Sequence, residues 1–342
     1  MLAAVLTQPD RMQVQDVEVS LPEDKVLVAV ASAGICATDV HAFAGHHPFL
    51  SYPRILGHEV AGTITAVGSA VRGVAVGDRV VLNPYSSCDT CRACRRGFPN
   101  LCPILTVSGI HVDGGFAEYV QAAPNQLHRV PADLDLEIAA LAEPLSIGAE
   151  AVAAGEVRSG DHMVVIGAGP IGLATLAFGV GRGATVAVID RISARLVRAK
   201  ELGAAATFNA LEGDPSDFVS KFTHQDGADV VVEAVGVKDT IEMGLQWVAA
   251  GGCFVLLGLH NGSIEVPVPS WFRRGLRLVA SRMTRGRVPE ALEYMVRHPN
   301  IAGLITHRTG LHGLPEMMAT LGRHEIDAVK VLVLPRLSKQ NE

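Results

Sequence analysis

Residues Met163–Asp190 read MVVIGAGPIGLATLAFGVGRGATVAVID, and no other stretch restricts the fold as tightly. An apolar run, a glycine turn, an apolar run of helical length and a second apolar run follow one another, the pattern of a βαβ unit. Gly167-Ala168-Gly169-Pro170-Ile171-Gly172 directly follows the first strand and opens the helix. The first glycine permits a tight turn, the second lets pyrophosphate approach the backbone, and the third lets helix and strand pack closely. A lone GxGxxG is weak, but here strand, helix and second strand are all in place. That second strand ends in Asp190, 18 residues after Gly172. A carboxylate there can accept hydrogen bonds from adenosine ribose hydroxyls and repel a 2′-phosphate, so NAD is expected over NADP. Arg191, with Arg195 one helical turn further on, blurs this preference, since guanidinium groups suit phosphate. The alternative for Asp190 is a helix N-cap before the segment 192–202.

Further buried-strand candidates follow at Ala204–Phe208, Asp229–Glu233, Cys253–Gly258 and Arg277–Ser281, separated by helix-length segments. With the first two they make six, the number a dinucleotide-binding sheet needs. The first 150 residues have a different texture. Short β-strands broken by Gly, Pro and Asp are clearest at Lys25–Ala31, Val60–Val67 and Arg79–Asn83,. After Arg282 a helical stretch over Pro289–Arg297 leads to an apolar strand, Lys330–Leu334, which is expected to return to the first domain. At 342 residues the chain can bury two cores,.

With 49% hydrophobic and 19% charged residues, a compact globular protein is expected,. The net charge of -6, with no run of Lys or Arg, argues against nucleic acid or membrane surface as a partner,. The start has a brief apolar patch but no basic n-region and no long h-region, and no stretch of 18 apolar residues occurs. A soluble, cytoplasmic protein is the expectation.

Four of the six cysteines, Cys88, Cys91, Cys94 and Cys102, fall within fifteen residues. Pro84, Gly97, Pro99 and Pro103 keep that segment a loop, and four thiolates on one loop can close a tetrahedron around Zn²⁺,. Such a closed site leaves no position for water or substrate, so it stiffens a lobe without doing chemistry. A second set is more scattered. Cys36 comes just after a strand, His58-Glu59 stand in a turn before the next, and Glu143-Pro144 follows a helical stretch. One soft ligand, one imidazole and carboxylates from separate loops suit an open catalytic zinc site. Taken singly, Cys36 reads equally as a small buried hydrophobe, His58 as a satisfied turn histidine and Glu143 as a helix-terminal carboxylate.

With these residues in view, the chain resembles the zinc-containing medium-chain dehydrogenase/reductase family over essentially its whole length. Gly57-His58-Glu59-x2-Gly62-x5-Gly68-x2-Val71 matches the zinc alcohol dehydrogenase signature. The resemblance implies an α/β protein in which a doubly wound Rossmann sheet, residues 151–287, is inserted into a GroES-like β-barrel catalytic domain, residues 1–150 and 288–342. It implies a catalytic zinc held or adjoined by Cys36, His58, Glu59 and Glu143, a structural zinc on Cys88, Cys91, Cys94 and Cys102, and NAD on Gly167, Gly169, Pro170, Ile171, Gly172, Asp190, Arg191 and Arg195. It also implies a homodimer or homotetramer.

Ordinary alcohol dehydrogenases have cysteine where Glu143-Pro144 stands, and the chain is more similar to the sorbitol and threonine dehydrogenase branch. Gly45-His46-His47-Pro48-Phe49, Tyr52-Pro53-Arg54, Gly109-Ile110-His111-x-Asp113-Gly114-Gly115-Phe116 and Ser281-Arg282-Met283 are similar to bacterial sugar-acid dehydrogenases, among them L-galactonate and L-gulonate 5-dehydrogenases. By resemblance the Thr38 hydroxyl contacts the reacting oxygen and His41 passes its proton to solvent. Read without the resemblance, Thr38 is a turn residue and His41 a surface residue. Arg282 is expected to bind a substrate hydroxyl or carboxylate, with a structural ion pair as the alternative. The expected substrate is a polyol or sugar acid; an amino alcohol such as L-threonine is the rival, and a dinucleotide-binding protein without catalysis is a third reading.

Overall fold

Residues 1–337 are described in the computed structural model. Contacts divide the chain into two units, Met1–Glu143 with the segment from Val288 onward, and Pro144–Arg287. The helix Ala142–Ala154 carries the chain across the first junction.

The second unit is built on six strands in the order Ala206–Asn209, Thr185–Asp190, His162–Ile166, Ala228–Glu233, Val248–Leu256 and Arg277–Ala280. Every neighbouring pair is parallel. In sequence order this is 3-2-1-4-5-6, the doubly wound arrangement whose strand order reverses beside the first strand. Val164 sits between Ala187 and Val231 in register, and all three are fully buried. Residues covered on both faces of a sheet gain most from being apolar, so the strands show apolar runs instead of alternation. The strand ending at Leu256 starts earlier than expected, at Val248, because Ala228 already pairs with Val248 before the register shifts. Among the described residues no helix is long and apolar enough to cross a membrane.

The first unit is mainly antiparallel. Its larger sheet runs in the order Leu127–Arg129, Arg79–Leu82, Glu59–Val67, Val26–Ile35, Lys330–Val333, Ile305–Thr309, with Tyr119–Ala122 also on Val26–Ile35. The last apolar strand thus pairs with the central strand of the amino-terminal half, Val331 opposite Ile35. The first sixteen residues, expected only as a brief apolar patch, form a hairpin, Leu2–Gln8 with Arg11–Asp16, and Leu2–Gln8 also pairs with Arg54–Ile55. Ala3, Ala4, Val5 and Leu6 are consecutive and buried, which hides the period-two pattern that marks a half-exposed strand,.

Candidate active site

Strand Val26–Ile35 delivers Cys36 to the N-cap of the helix Ala37–Phe43, and strand Glu59–Val67 begins at Glu59, opposite Gly34. One hairpin-like pairing therefore brings together ligands 22 and 23 positions apart in the chain. A Cys36 sulfur, a His58 ring nitrogen and a Glu59 carboxylate oxygen all lie within 4.8 Å of one another. The approach leaves no room at Gly34, where a Cβ would stand 1.8 Å from Glu59 Oε2.

Two charged residues that sequence patterns did not single out complete the electrostatics. Asp39, fully buried, accepts from the Cys36 amide at 2.9 Å and the Gly57 amide at 3.1 Å, tying both ligand turns together. Its Oδ1 is 3.4 Å from His58 Nδ1. Burial alone would raise the Asp39 pKa, but His58 and the two amides hold it below the usual range. Burial likewise opposes a charge on His58, yet Asp39 and Cys36 raise its pKa well above the imidazole value. Lys330, 2% exposed, donates to both Glu59 oxygens at 2.6 and 2.7 Å and to Ile35 O at 3.0 Å. Burial would depress this lysine, but Glu59, with Cys36 and Glu143 behind it, raises its pKa. The one available signal for Asp39 was its place three residues after the N-cap, where a carboxylate can accept the N-cap amide. For Lys330 it was a lone cation opening an apolar strand.

These residues fit a zinc ion. His58 Nδ1 is buried and makes no hydrogen bond of good geometry among the described residues, with only the long Asp39 contact beside it. A cation on the other ring nitrogen would turn that contact into the carboxylate support typical of metal-bound histidines. Soft, imidazole and carboxylate donors together suit Zn²⁺. The 4.8 Å group does not include Glu143, the second residue of Ala142–Ala154, which is 6% exposed. Burial pushes its carboxyl up to about 7, with His58 pulling it down and Glu59 pushing it up. Thr38 Oγ1 accepts from Cys36 Sγ at 3.7 Å. His41, one turn along the same helix, is exposed,. Arg282 lies in the other unit, exposed and just past the strand Arg277–Ala280.

Cys88, Cys91, Cys94 and Cys102 form a second group within 4.8 Å, with no disulfide among them. Closest are Cys91 and Cys94 at 3.4 Å and Cys88 and Cys102 at 3.5 Å. Tetrahedral zinc with Zn–S bonds of about 2.3 Å needs sulfurs about 3.8 Å apart, so the loop is already close to that shape. Backbone amides point at the sulfurs, Cys91 N to Cys88 Sγ at 3.3 Å and Cys94 N to Cys91 Sγ at 3.5 Å, which favours thiolates,. Without a cation the thiols diverge. The Thr90 amide and hydroxyl bring Cys88 down to about 6, whereas desolvation and its sulfur neighbours push Cys94 up to about 12.

At the carboxyl end of His162–Ile166, Gly167 has φ +99°, and Gly169 is the N-cap of the helix Pro170–Gly181. A Cβ on Gly172 would lie 1.8 Å from Gly167 O, so the third glycine is fixed by helix-to-strand packing. Pro170 and Ile171 form the first helical positions. Asp190 accepts from Ala168 N at 2.6 Å and from Ile192 N at 2.8 Å. It therefore braces the glycine turn, and the helix Ser193–Glu201 has Ile192, not Asp190, at its N-cap. Arg191 is exposed and Arg195 half-buried on that side.

Residues 22–132 match the model of the alcohol dehydrogenase GroES-like domain, and residues 170–297 that of the zinc-binding dehydrogenase. L-galactonate-5-dehydrogenase of Escherichia coli K12 is 34% identical over 81% of this chain and 82% of its own length. Sorbitol dehydrogenase of Bacillus subtilis 168 is 31% identical over 98% of this chain and 97% of its own. A crystal structure described as a zinc-binding dehydrogenase from Sinorhizobium meliloti 1021, bound to NADP, superposes with a TM-score of 0.91 at 33% identity, covering 98% of this chain and 99% of that one.

Proposed function

The chain belongs to the zinc-containing medium-chain dehydrogenase family, whose members act on CH–OH donors, and we propose that it oxidises a secondary hydroxyl of a polyol or sugar acid with NAD as hydride acceptor. The observation that carries this reading is the group of half-buried Cys36 with buried His58 and Glu59, with Glu143 following in the same unit. Zinc held there supplies a Lewis acid that lowers the pKa of a hydroxyl. Asp39 fixes the two ligand turns, and Lys330 balances the charge of Glu59. The Thr38 hydroxyl would accept the proton of the substrate hydroxyl while giving up its own, and His41, exposed one helical turn away, would pass a proton on to solvent,. The Gly167–Gly172 turn and Asp190 would hold NAD, which when bound would supply the hydride acceptor,.

The Glu143-Pro144 pair in place of cysteine supports a polyol-type site, and within this class Arg282 at the carboxyl end of the sixth strand favours a sugar acid. Ligands of such sheets bind beyond those strand ends, and a guanidinium there can pair with a carboxylate. Initial rates with NAD across aldonates, polyols of equal length and L-threonine test the reading. The aldonate should be preferred, and Arg282→Ala should weaken aldonate oxidation about ten- to a hundredfold, the worth of a charge-assisted hydrogen bond, and polyol oxidation far less. A native preference for L-threonine or for the neutral polyol would overturn the sugar-acid assignment. The homodimer or homotetramer implied by the family is part of the same reading and is tested by light scattering.

A further inference from the structure

Two histidine-bearing segments have no part in the chemistry above, and the structure places one against the helix that follows Cys36 and the other against the turn that carries His58. The first follows the helix that starts at Cys36 and is fastened to it by His46 N donating to His41 O at 2.9 Å. The second lies along the turn that carries His58. There Gly114 N donates to Ile55 O at 2.8 Å, Gly115 N to Gly57 O at 2.8 Å and Phe116 N to Leu56 O at 3.0 Å. Where the segments meet, the Phe49 ring stands 6.1 Å from the His47 ring and 6.2 Å from that of His111, the latter nearly parallel at 22°. Phe49 is nonetheless 69% exposed, so its flank is braced while much of the ring stays open to solvent.

The two imidazoles are oriented alike. Phe49 N donates to His47 Nδ1 at 3.4 Å, and Val107 N donates to His111 Nδ1 at 3.1 Å. A neutral ring whose Nδ1 accepts carries its proton on Nε2, so each histidine presents one N–H donor on the side away from its own backbone. Partial burial and then the nearby His111 keep His47 below the usual imidazole range, and His58 and His41 are within electrostatic reach of it. An aromatic face attracts C–H groups through its quadrupole, while the flanking N–H groups ask for oxygen acceptors. An apolar alcohol would satisfy the ring and waste both donors.

The geometry points to an outer subsite made of Phe49, His47 and His111 that binds the far end of an extended polyhydroxylated substrate, its C–H face on the ring and its hydroxyl or carboxylate oxygens accepting from the two Nε2–H groups. This rests on the polyol or sugar-acid reading of the zinc site and adds the residues that measure substrate length.

The test compares kcat/KM with NAD for glucitol, for L-gulonate and for butane-2,3-diol, which has no oxygen beyond its two adjacent hydroxyls to offer the outer residues. Native protein, Phe49→Ala, His111→Leu and His111→Gln are measured, each with zinc content and melting temperature. The ratio of six-carbon substrate to diol should fall about three- to tenfold in Phe49→Ala and in His111→Leu, the worth of one net contact. It should recover in His111→Gln, whose amide keeps an N–H donor. A larger fall for L-gulonate than for glucitol in His111→Leu identifies the acceptor as the carboxylate, and an equal fall identifies a hydroxyl. Unchanged ratios in folded, zinc-loaded variants overturn the subsite alone. A native enzyme that oxidises the diol but neither six-carbon compound overturns the substrate reading and the subsite with it.

Discussion

Replacing Lys330 by Met should expose how the site balances charge. The lysine Nζ has three acceptors at 2.6, 2.7 and 3.0 Å, and both it and Glu59 are almost fully buried, at 2% and 1% exposure. Methionine keeps roughly the volume and removes the cation, so the Glu59 carboxylate is left in a low-dielectric site without its counterion. Breaking a buried pair from one side costs about 3–5 kcal/mol. For a unit of roughly 200 residues, where 1 kcal/mol moves the midpoint by about 2–4 °C, the melting temperature should fall by about 6–20 °C. Because the pKa of Lys330 is raised, its charge is fully present below the ordinary lysine value and is lost only as pH rises through the raised one,. The loss should therefore be the same at pH 7 and pH 9. Added zinc, a cation next to the same carboxylate, should restore part of it. The measurement is calorimetric melting of metal-free and zinc-loaded protein, with Glu59→Gln and Lys330→Met/Glu59→Gln closing the cycle. The double variant should recover most of the stability of the metal-free protein. A shift under about 2 °C in Lys330→Met, with no recovery in the double variant, would refute the argument that the pair is electrostatically coupled.

Three further outcomes are expected. Cys36→Ser should abolish turnover and remove one zinc, while Cys94→Ser should mainly lower stability, as metal analysis and melting curves will show; one zinc in the native protein and a fully active Cys36 variant would refute it. Gly34→Ala should cost about 1–3 kcal/mol and deplete the zinc bound near Glu59, because its Cβ falls 1.8 Å from Glu59 Oε2; chemical denaturation with zinc quantitation reads both,. Asp190→Asn should weaken NAD binding about tenfold and narrow the preference over NADP, since one of its oxygens holds Ala168 N at 2.6 Å; titration by fluorescence quenching decides, and equal native affinity for NADP would show that Arg191 dominates,.

The Rossmann sheet was legible because strands covered on both faces leave apolar runs, and because its glycines answer to local demands such as the contact of Gly172 with Gly167 O. The cysteine loop was legible for the same reason, since four ligands within fifteen residues need no tertiary information. The amino-terminal hairpin was not, because continuous burial of residues 3–6 erases alternation. Asp39 and Lys330 show a different limit. A buried charge is explained by its partner, and the partner of Lys330 is 271 positions away. No local pattern distinguishes such a lysine from one in solvent. The resemblance put Glu59 and Glu143 together at the zinc, but which of them lies within reach of Cys36 and His58 was not legible, since that depends on what the fold packs around each.

The divided acidity of the four-cysteine loop also bears on redox chemistry. Without zinc, Cys88 is largely thiolate at neutral pH, and Cys102 Sγ is 3.5 Å away. Forming a bond of about 2.05 Å requires an approach of only about 1.5 Å. A peroxide can therefore take two electrons from this pair, leaving a disulfide and water, and the loop then lacks two of its four donors. Metal and oxidant compete for the same sulfurs, so zinc acts here as a protecting group as well as a strut. The order in which the newly made chain meets zinc and oxidant then decides whether this lobe is built or lost.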